Sequence, residues 1–323
     1  MTQMLETSPS VLTMTTPQLS IMLRTYAAED PGTWQPVLDT ARAADAAGVD
    51  RVVVSDHVVF GEQMDAYGRP ESGGVAGGKQ PTGPDGHWLE PLTTLSVVCG
   101  VTSRVRLGTN ILIAALRRPV VLAKAAATLD VLSGGRLDLG VGIGWQREEY
   151  EAAGLDFGNR GRQLDLTLEV CQTFWREPRA KVELDGLAFE AIHMMPKPRQ
   201  PGGVPIWVSG RVNERVARRV ARFGSGWIPW GEDADDPAAS IPRMRDAVAS
   251  AGGNADALQV AGNLPAVRRD DRSIDPEPTM ANVPPLVAAG VTDFRVFVMV
   301  PETFDEALAS LSPIVEAFQV SVH

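Results

Sequence analysis

Strand-like and helix-like stretches alternate eight times along this 323-residue chain, and that beat restricts its architecture more than any other feature. Leu19 to Leu23 reads as a short buried strand. Trp34 to Ala47 carries apolar residues at helical spacing and stops at Gly48, and three valines between Arg51 and Ser55 mark a central parallel strand. Further strands are expected at Val105 to Ile113, Leu137 to Ile143, Pro205 to Val208, Trp227 to Ile228, Leu258 to Ala261 and Phe294 to Val298. Helices are expected at Leu92 to Val101, from Pro119 to the Gly134-Gly135 pair, and at Leu164 to Trp175, Val212 to Phe223, Pro237 to Ser250, Val283 to Ala289 and Phe304 to Phe318. Eight strand-then-helix units without a break in composition predict one closed (β/α)8 barrel over residues 18–323 rather than an open doubly wound sheet.

Two insertions interrupt the beat. Residues 61–87 follow the second strand and hold eight glycines and several prolines, which suits a lid loop over the barrel mouth. Residues 181–190, centred on Asp185-Gly186, read as a small β-hairpin. Residues 1–17 are rich in Thr, Ser and Pro and read as a flexible tail, with Met14 as an alternative start to Met1. They lack the basic and apolar regions of a signal peptide, and no stretch reaches the roughly 18 apolar residues of a membrane span. Cys99 and Cys171 both lie in apolar helical stretches, so a reducing cytoplasm is the expected compartment. A net charge of −10 offers no general field for nucleic acid or anionic lipid, so any anionic ligand needs a local cluster of donors.

In a barrel of this type the chemistry sits where strands end. Ser55-Asp56-His57 ends the second strand, placing a ligand anchor beside a group able to exchange protons near neutral pH, or else a turn-capping Asp and a packed His. Thr109 and Asn110 are the only polar side chains in the apolar run of the third strand. In Gly140-Val141-Gly142-Ile143-Gly144 the glycines share one face, either so that a flat ligand can approach the backbone or so that a narrow barrel can pack; Trp145, Gln146, Arg147, Glu148 and Glu149 follow at the mouth. Gln146 stands where a dinucleotide fingerprint requires its last glycine, so a Rossmann reading fails. Ser209-Gly210-Arg211 leads into a helix and suits a phosphate, held by free N–H groups and the Arg211 guanidinium. Arg215, Arg218, Arg219 and Arg222 read as that helix's solvated face. HExxH, paired CxxC, P-loop and GxSxG motifs are absent from the sequence, which leaves metal hydrolysis and nucleoside-triphosphate chemistry without support.

From Leu107 to Gly154 the chain reads LGTNILIAALRRPVVLAKAAATLDVLSGGRLDLGVGIGWQREEYEAAG, flanked by SDH at 55–57, EPLTTLS at 90–96, RGRQLD at 160–165, PKPRQP at 196–201, PIWVSG at 205–210 and GSGW at 224–227. In order and spacing these resemble the luciferase-like monooxygenase superfamily, and within it the F420-dependent oxidoreductase branch. The resemblance implies a TIM barrel with an insertion loop at its mouth, a deazaflavin or flavin ring across the strand ends, and a non-prolyl cis peptide at Asn110–Ile111. It carries ring contacts to Asp56, Asn110 and the backbone at Gly142 to Gly144, with Thr109, Ile111 and Trp145 adjoining, and phosphate contacts to Ser209, Gly210 and Arg211. Sugar-phosphate dehydrogenases of the branch place a Glu directly after the glycine run; Trp145 here speaks against that substrate.

The function so implied is hydride transfer between C5 of F420 and a small organic substrate, with His57 exchanging the proton and Asp56 fixing the cofactor or His57. FMN with O₂ on the same fold is the alternative, and for F420 Arg117, Arg118, Arg147, Arg160 and Arg162 would line a basic exit for its oligoglutamate tail. A phosphosugar isomerase or aldolase would want a Lys or Glu at a strand end, whereas Lys124 lies within a helix. A carrier without turnover is the remaining reading, and a homodimer is expected from the resemblance alone.

Overall fold

The computed structural model describes residues 16–184 and 186–322. Most of the expected tail, with Met14, and Asp185 in the hairpin turn lie outside the described residues. Eight parallel strands form a closed barrel: β1 (Gln18–Met22), β2 (Arg51–Val54), β3 (Arg106–Thr109), β4 (Leu137–Val141), β5 (Ile206–Gly210), β6 (Gly226–Pro229), β7 (Gln259–Asn263) and β8 (Asp293–Val296). Each hydrogen-bonds to its sequence neighbours, and β1 closes the ring by pairing with both β2 (Ser20 opposite Arg51) and β8 (Gln18 opposite Asp293). The outer helices are α1 (Gln35–Ala47), α2 (Pro91–Val101), α3 (Pro119–Leu132), α4 (Arg160–Arg176), α5 (Glu214–Phe223), α6 (Pro237–Ser250), α7 (Val283–Ala289) and α8 (Phe304–Ser321).

Local chemistry sets the boundaries. Gly48 ends α1 at φ 95°, a left-handed conformation cheap only for glycine. The Glu90 carboxylate caps α2 by accepting from Thr93 N at 2.7 Å, and Asp236 caps α6 by accepting from Ala239 N at 3.1 Å. α5 begins two residues later than expected because Asn213 caps it, its side chain accepting from Val216 N at 3.0 Å. No described helix is long and apolar enough to cross a membrane.

Two departures from the expected pattern shape the mouth. β3 is regular only to Thr109. The Asn110–Ile111 peptide is cis, and the chain rejoins β4 through Leu112 N to Gly140 O (2.7 Å) and Gly142 N to Leu112 O (3.1 Å). Residues 61–87 carry two short 3₁₀ turns, and the segment after them returns as His87–Trp88, paired antiparallel with Tyr26–Ala27. The hairpin forms as Ala180–Leu184 against Leu187–Ile192.

The barrel interior is not uniformly apolar. In its lower half Arg51 reaches Asp138 (3.0 Å) and Asp293 (2.5 Å), Arg106 grips Asp138 through two 2.7 Å bonds, and Arg295 reaches Asp293 (3.0 Å). Ser20 donates to Asp293 as well. Above this layer Trp207, Ile228 and Ala261 pack against Ile111, and the Arg51 guanidinium lies 5.0 Å from the Trp207 ring centroid.

Candidate active site

A cavity of about 420 Å³ opens at the C-terminal ends of the strands. The structure brings Asp56, His57, Asn110, Ile111, Gly142, Gly144, Trp145, Ser209, Gly210 and Arg211 together in its wall. Thr109 is not among the lining residues. It is buried, and its hydroxyl donates to Gly140 O at 2.7 Å, which ties β3 to β4.

His57 is held on several sides. Its Nδ1 lies 3.2 Å from Glu149 Oε1, with the two side chains only 8% and 0% exposed. Phe60 lies 4.4 Å from it between ring centroids, Trp88 4.9 Å and Trp145 5.8 Å. Glu149 Oε1 also accepts from Val58 N at 2.9 Å, while its Oε2 is buried without a partner among the described residues. Nδ1 faces Glu149 without a hydrogen bond among the described residues, and Nε2 is the ring nitrogen left to meet a ligand. Glu149 is thus a site residue the sequence did not single out. Its signal was its place four residues after Trp145, one turn into the short helix Arg147–Ala152, where an inward carboxylate comes back beneath the strand ends.

Asp56 stands in the cavity wall, with its carboxylate engaged by the protein. Its carboxylate accepts from Ile113 N (2.8 Å) and is clasped by both Arg117 Nη atoms, one at 2.9 Å. Burial alone would lower the Arg117 pKa, but its bonds to Asp56 and Glu90 hold it above the ordinary value. Asp56 therefore pins the segment after β3, and its oxygens are not aimed at His57. Asn110 is likewise engaged, Oδ1 accepting from Arg295 Nη1 at 2.6 Å.

The glycine run serves packing first. A Cβ on Gly140 would lie 2.0 Å from Thr109 O, one on Gly142 would meet the Ile111 side chain at 2.8 Å, and one on Gly144 that of Ile113 at 3.2 Å. The irregular part of β3 packs against this side of the run, and what Gly142 and Gly144 present to the cavity is backbone.

At the other end Trp227 Nε1 donates to Gly210 O at 2.9 Å and fixes the Ser209–Arg211 turn. Beyond the turn, the N–H of Val212 donates to Asp233 (2.7 Å) and that of Val216 to Asn213 (3.0 Å). The Arg211 guanidinium has no acceptor among the described residues and lies against Gly231, where a Cβ would be 3.1 Å from its Nε. Arg219, expected on the solvated face, is buried and lines the cavity, held by Asp165 (2.5 Å) and Gly161 O (3.0 Å). Of the five arginines expected at a basic exit, none lines the cavity itself: Arg117 serves Asp56, Arg147 and Arg160 lie over the Phe157 ring at 4.8 and 3.8 Å, and Arg118 and Arg162 are exposed.

Residues 61–87 close the cavity from above. Gln146 Nε2 donates to Gly61 O (3.2 Å), Trp230 Nε1 donates to Gly73 O (3.1 Å), and the Tyr67 ring stands 5.5 Å from Trp145. Tyr26, Tyr67, Trp88 and Trp230 all line the cavity and were not expected there. An unpaired guanidinium at one end, an imidazole backed by Glu149 at the other and exposed backbone between them suit a flat ring bearing a phosphate. Ser55 Oγ, buried and without a partner, is a further polar atom at the cavity wall.

Comparison with known proteins agrees with this geometry. The luciferase-like monooxygenase family model matches residues 11–274. An uncharacterised protein of Mycobacterium tuberculosis is 35% identical over 166 residues, 51% of this chain and 57% of that one. An F420-dependent glucose-6-phosphate dehydrogenase of Segniliparus rotundus is 35% identical over 193 residues, 58% of this chain and 50% of that one. The chain thus spans about half the length of these curated relatives. Two solved structures share the fold: an F420-dependent secondary alcohol dehydrogenase (TM-score 0.72, 16% identity, 94% of this chain and 99% of that one) and the FMN-bound oxygenating constituent of 3,6-diketocamphane monooxygenase from Pseudomonas putida (TM-score 0.70, 14% identity, 95% and 99%). With most of its length matched by the family model and its barrel shared with these enzymes, the chain belongs to the luciferase-like monooxygenase family.

Proposed function

We propose that the protein is an F420-dependent oxidoreductase that exchanges a hydride with a small organic substrate. The observation that carries this reading is the His57–Glu149 pair, which leaves Nε2 to a cavity whose opposite end holds the unpaired Arg211 guanidinium. Bound F420 would supply a carbon that gives or takes a hydride. Ser209, Gly210 and Arg211 would hold its phosphate, and Ile111 with the backbone of Gly142 and Gly144 would support its ring. Glu149 lies against Nδ1 and orients the imidazole, so that Nε2 can pass one proton to or from the substrate oxygen as the hydride moves. Residues 61–87, with Trp145 and Trp230, exclude water from that exchange. Cys99 and Cys171 are both unpaired, which suits a reducing compartment such as the cytoplasm.

The first test is a fluorescence titration with F420 and with FMN. F420 is expected to bind the more tightly; preferential binding of FMN would turn the reading to a flavin monooxygenase on this fold. His57→Gln is expected to lower turnover by about a hundredfold or more while the F420 dissociation constant changes by less than about threefold. Turnover within a few-fold of the parent would remove His57 from the proton path.

A further inference from the structure

Six aromatic rings stand in one continuous arc around the cavity. Tyr26 stacks on Trp88 (4.6 Å between centroids), Trp88 meets His57 (4.9 Å), His57 meets Trp145 (5.8 Å), Trp145 meets Tyr67 (5.5 Å) and Tyr67 meets Trp230 (6.3 Å). The arc draws on the ends of β1, β2, β4 and β6 and on the segment that covers the mouth. Its polar edges are largely spent within the protein. Trp88 Nε1 donates to Thr82 Oγ1 at 2.9 Å and Trp230 Nε1 to Gly73 O at 3.1 Å, so both tryptophans offer only ring surface.

Charge in the wall is equally committed. Asp56 is neutralised by Arg117, Arg219 by Asp165, and Glu149 lies behind His57. Burial pushes the Tyr67 hydroxyl above its ordinary pKa and keeps it neutral. Arg211 is the one lining cation without an acceptor among the described residues, and it stands at the α5 end, with the turn that suits a phosphate. A phosphate or carboxylate within the arc would lose its hydration and gain no free guanidinium, and an ammonium group would exchange its hydration for ring faces alone, with no free carboxylate.

We infer that the substrate is an uncharged, predominantly apolar compound with one carbonyl or hydroxyl oxygen, enclosed by the aromatic arc and met at that oxygen by His57 Nε2. The inference rests on the oxidoreductase reading and narrows it. Apolar surface supplies the affinity, and His57 Nε2, with the unpartnered Ser55 Oγ and Trp145 Nε1 in the same wall, supplies the orientation. The reaction balances as two electrons and one hydrogen moving as hydride at the carbon that bears the oxygen, with one proton moving at the oxygen through His57. The cofactor is the redox partner.

Calorimetric titration of the full chain, with and without F420, uses cyclohexanone and cyclohexanol as uncharged probes, glucose 6-phosphate as an anion and choline as a cation. The uncharged probes are expected to bind, with a negative heat-capacity change, and the charged ones are not. Trp88→Ala and Tyr67→Ala should each weaken cyclohexanone binding by about five- to tenfold, while Trp88→Phe stays within about twofold. Cyclohexanone should also quench or shift the intrinsic tryptophan emission of the parent, since Trp88, Trp145 and Trp230 line the cavity, and this readout stands even if an alanine variant fails to fold. Tighter binding of glucose 6-phosphate or choline, silence of both uncharged probes, or calorimetric binding without any change in emission would each overturn the inference. If F420 fails to bind while cyclohexanone still does, the cofactor assignment falls and the substrate class stands. The converse result discards the class and keeps the cofactor.

Discussion

Asp293→Asn is expected to destabilise the protein by about 4 kcal/mol, within the range for breaking a buried ion pair. Asp293 is fully buried at the base of the barrel, where it accepts from Arg51, Arg295 and Ser20. Burial alone would push its carboxyl up, but Arg51 and Arg295 hold it below the ordinary carboxylate value. In the parent, three interior guanidinium groups, of Arg51, Arg106 and Arg295, face the carboxylates of Asp138 and Asp293. The asparagine variant keeps the shape but leaves three cations to Asp138. Arg51→Met is expected to cost less, about 3 kcal/mol, because each remaining carboxylate keeps its own arginine. At about 2 °C per kcal/mol for a chain of this size, Asp293→Asn should melt about 8 °C below the parent. Urea unfolding followed by circular dichroism gives the free energies directly. A folded-state pKa below the unfolded one means that the Asp293 contribution is present above about pH 4 and is lost as pH falls through the folded value. The parent's advantage over the variant should therefore shrink in acid. An Asp293→Asn protein within about 1 kcal/mol of the parent at neutral pH, or less destabilised than Arg51→Met, would refute the argument.

Glu149→Gln should lower kcat by about ten- to a hundredfold while KM and F420 affinity stay within about twofold, since the amide still accepts from Val58 N but no longer sets a carboxylate against His57 Nδ1; equal losses in kcat and cofactor affinity would assign Glu149 to packing instead. Gly140→Ala should cost at least about 3 kcal/mol in urea unfolding, because its Cβ would meet backbone at Thr109.

The fold was legible because barrel strands are short, apolar and punctuated by caps that sequence displays: Gly48, Pro119 and the Gly134-Gly135 pair all stand at helix ends. The interior charges were less so. Arg51, Asp138 and Arg295 fall inside the expected strand windows and Asp293 just before one, and only the closed ring shows that they point at one another. Strand ends located most of the cavity wall, since position along a strand is a one-dimensional fact. The aromatic arc was not legible, because Tyr26, Tyr67, Trp88 and Trp230 lie on separate excursions that meet only over the mouth.

Three residues expected to touch a ligand act first on the chain between β3 and α3. Thr109 ties it to β4 through Gly140 O, Asp56 holds it at Ile113 N, and Arg295 holds it at Asn110 Oδ1. The Arg295 contact continues downward through Asp293 to Arg51 and Asp138, so the irregular segment is joined to the charged layer at the barrel base. Loss of Asp293 should therefore be felt at the mouth as well as in the melting temperature. Arg295 loses one of its two acceptors, Asn110 loses its fixed partner, and Ile111, packed on Trp207 below and Gly142 beside it, loses the register that shapes the cavity floor. At a temperature where Asp293→Asn is fully folded, F420 should bind it about three- to tenfold more weakly, which is the effect of about 1 kcal/mol. Arg51→Met, which leaves the Arg295–Asn110 contact intact, should bind F420 like the parent. Equal affinities in both variants would mean that the charged layer stabilises the barrel without shaping its mouth.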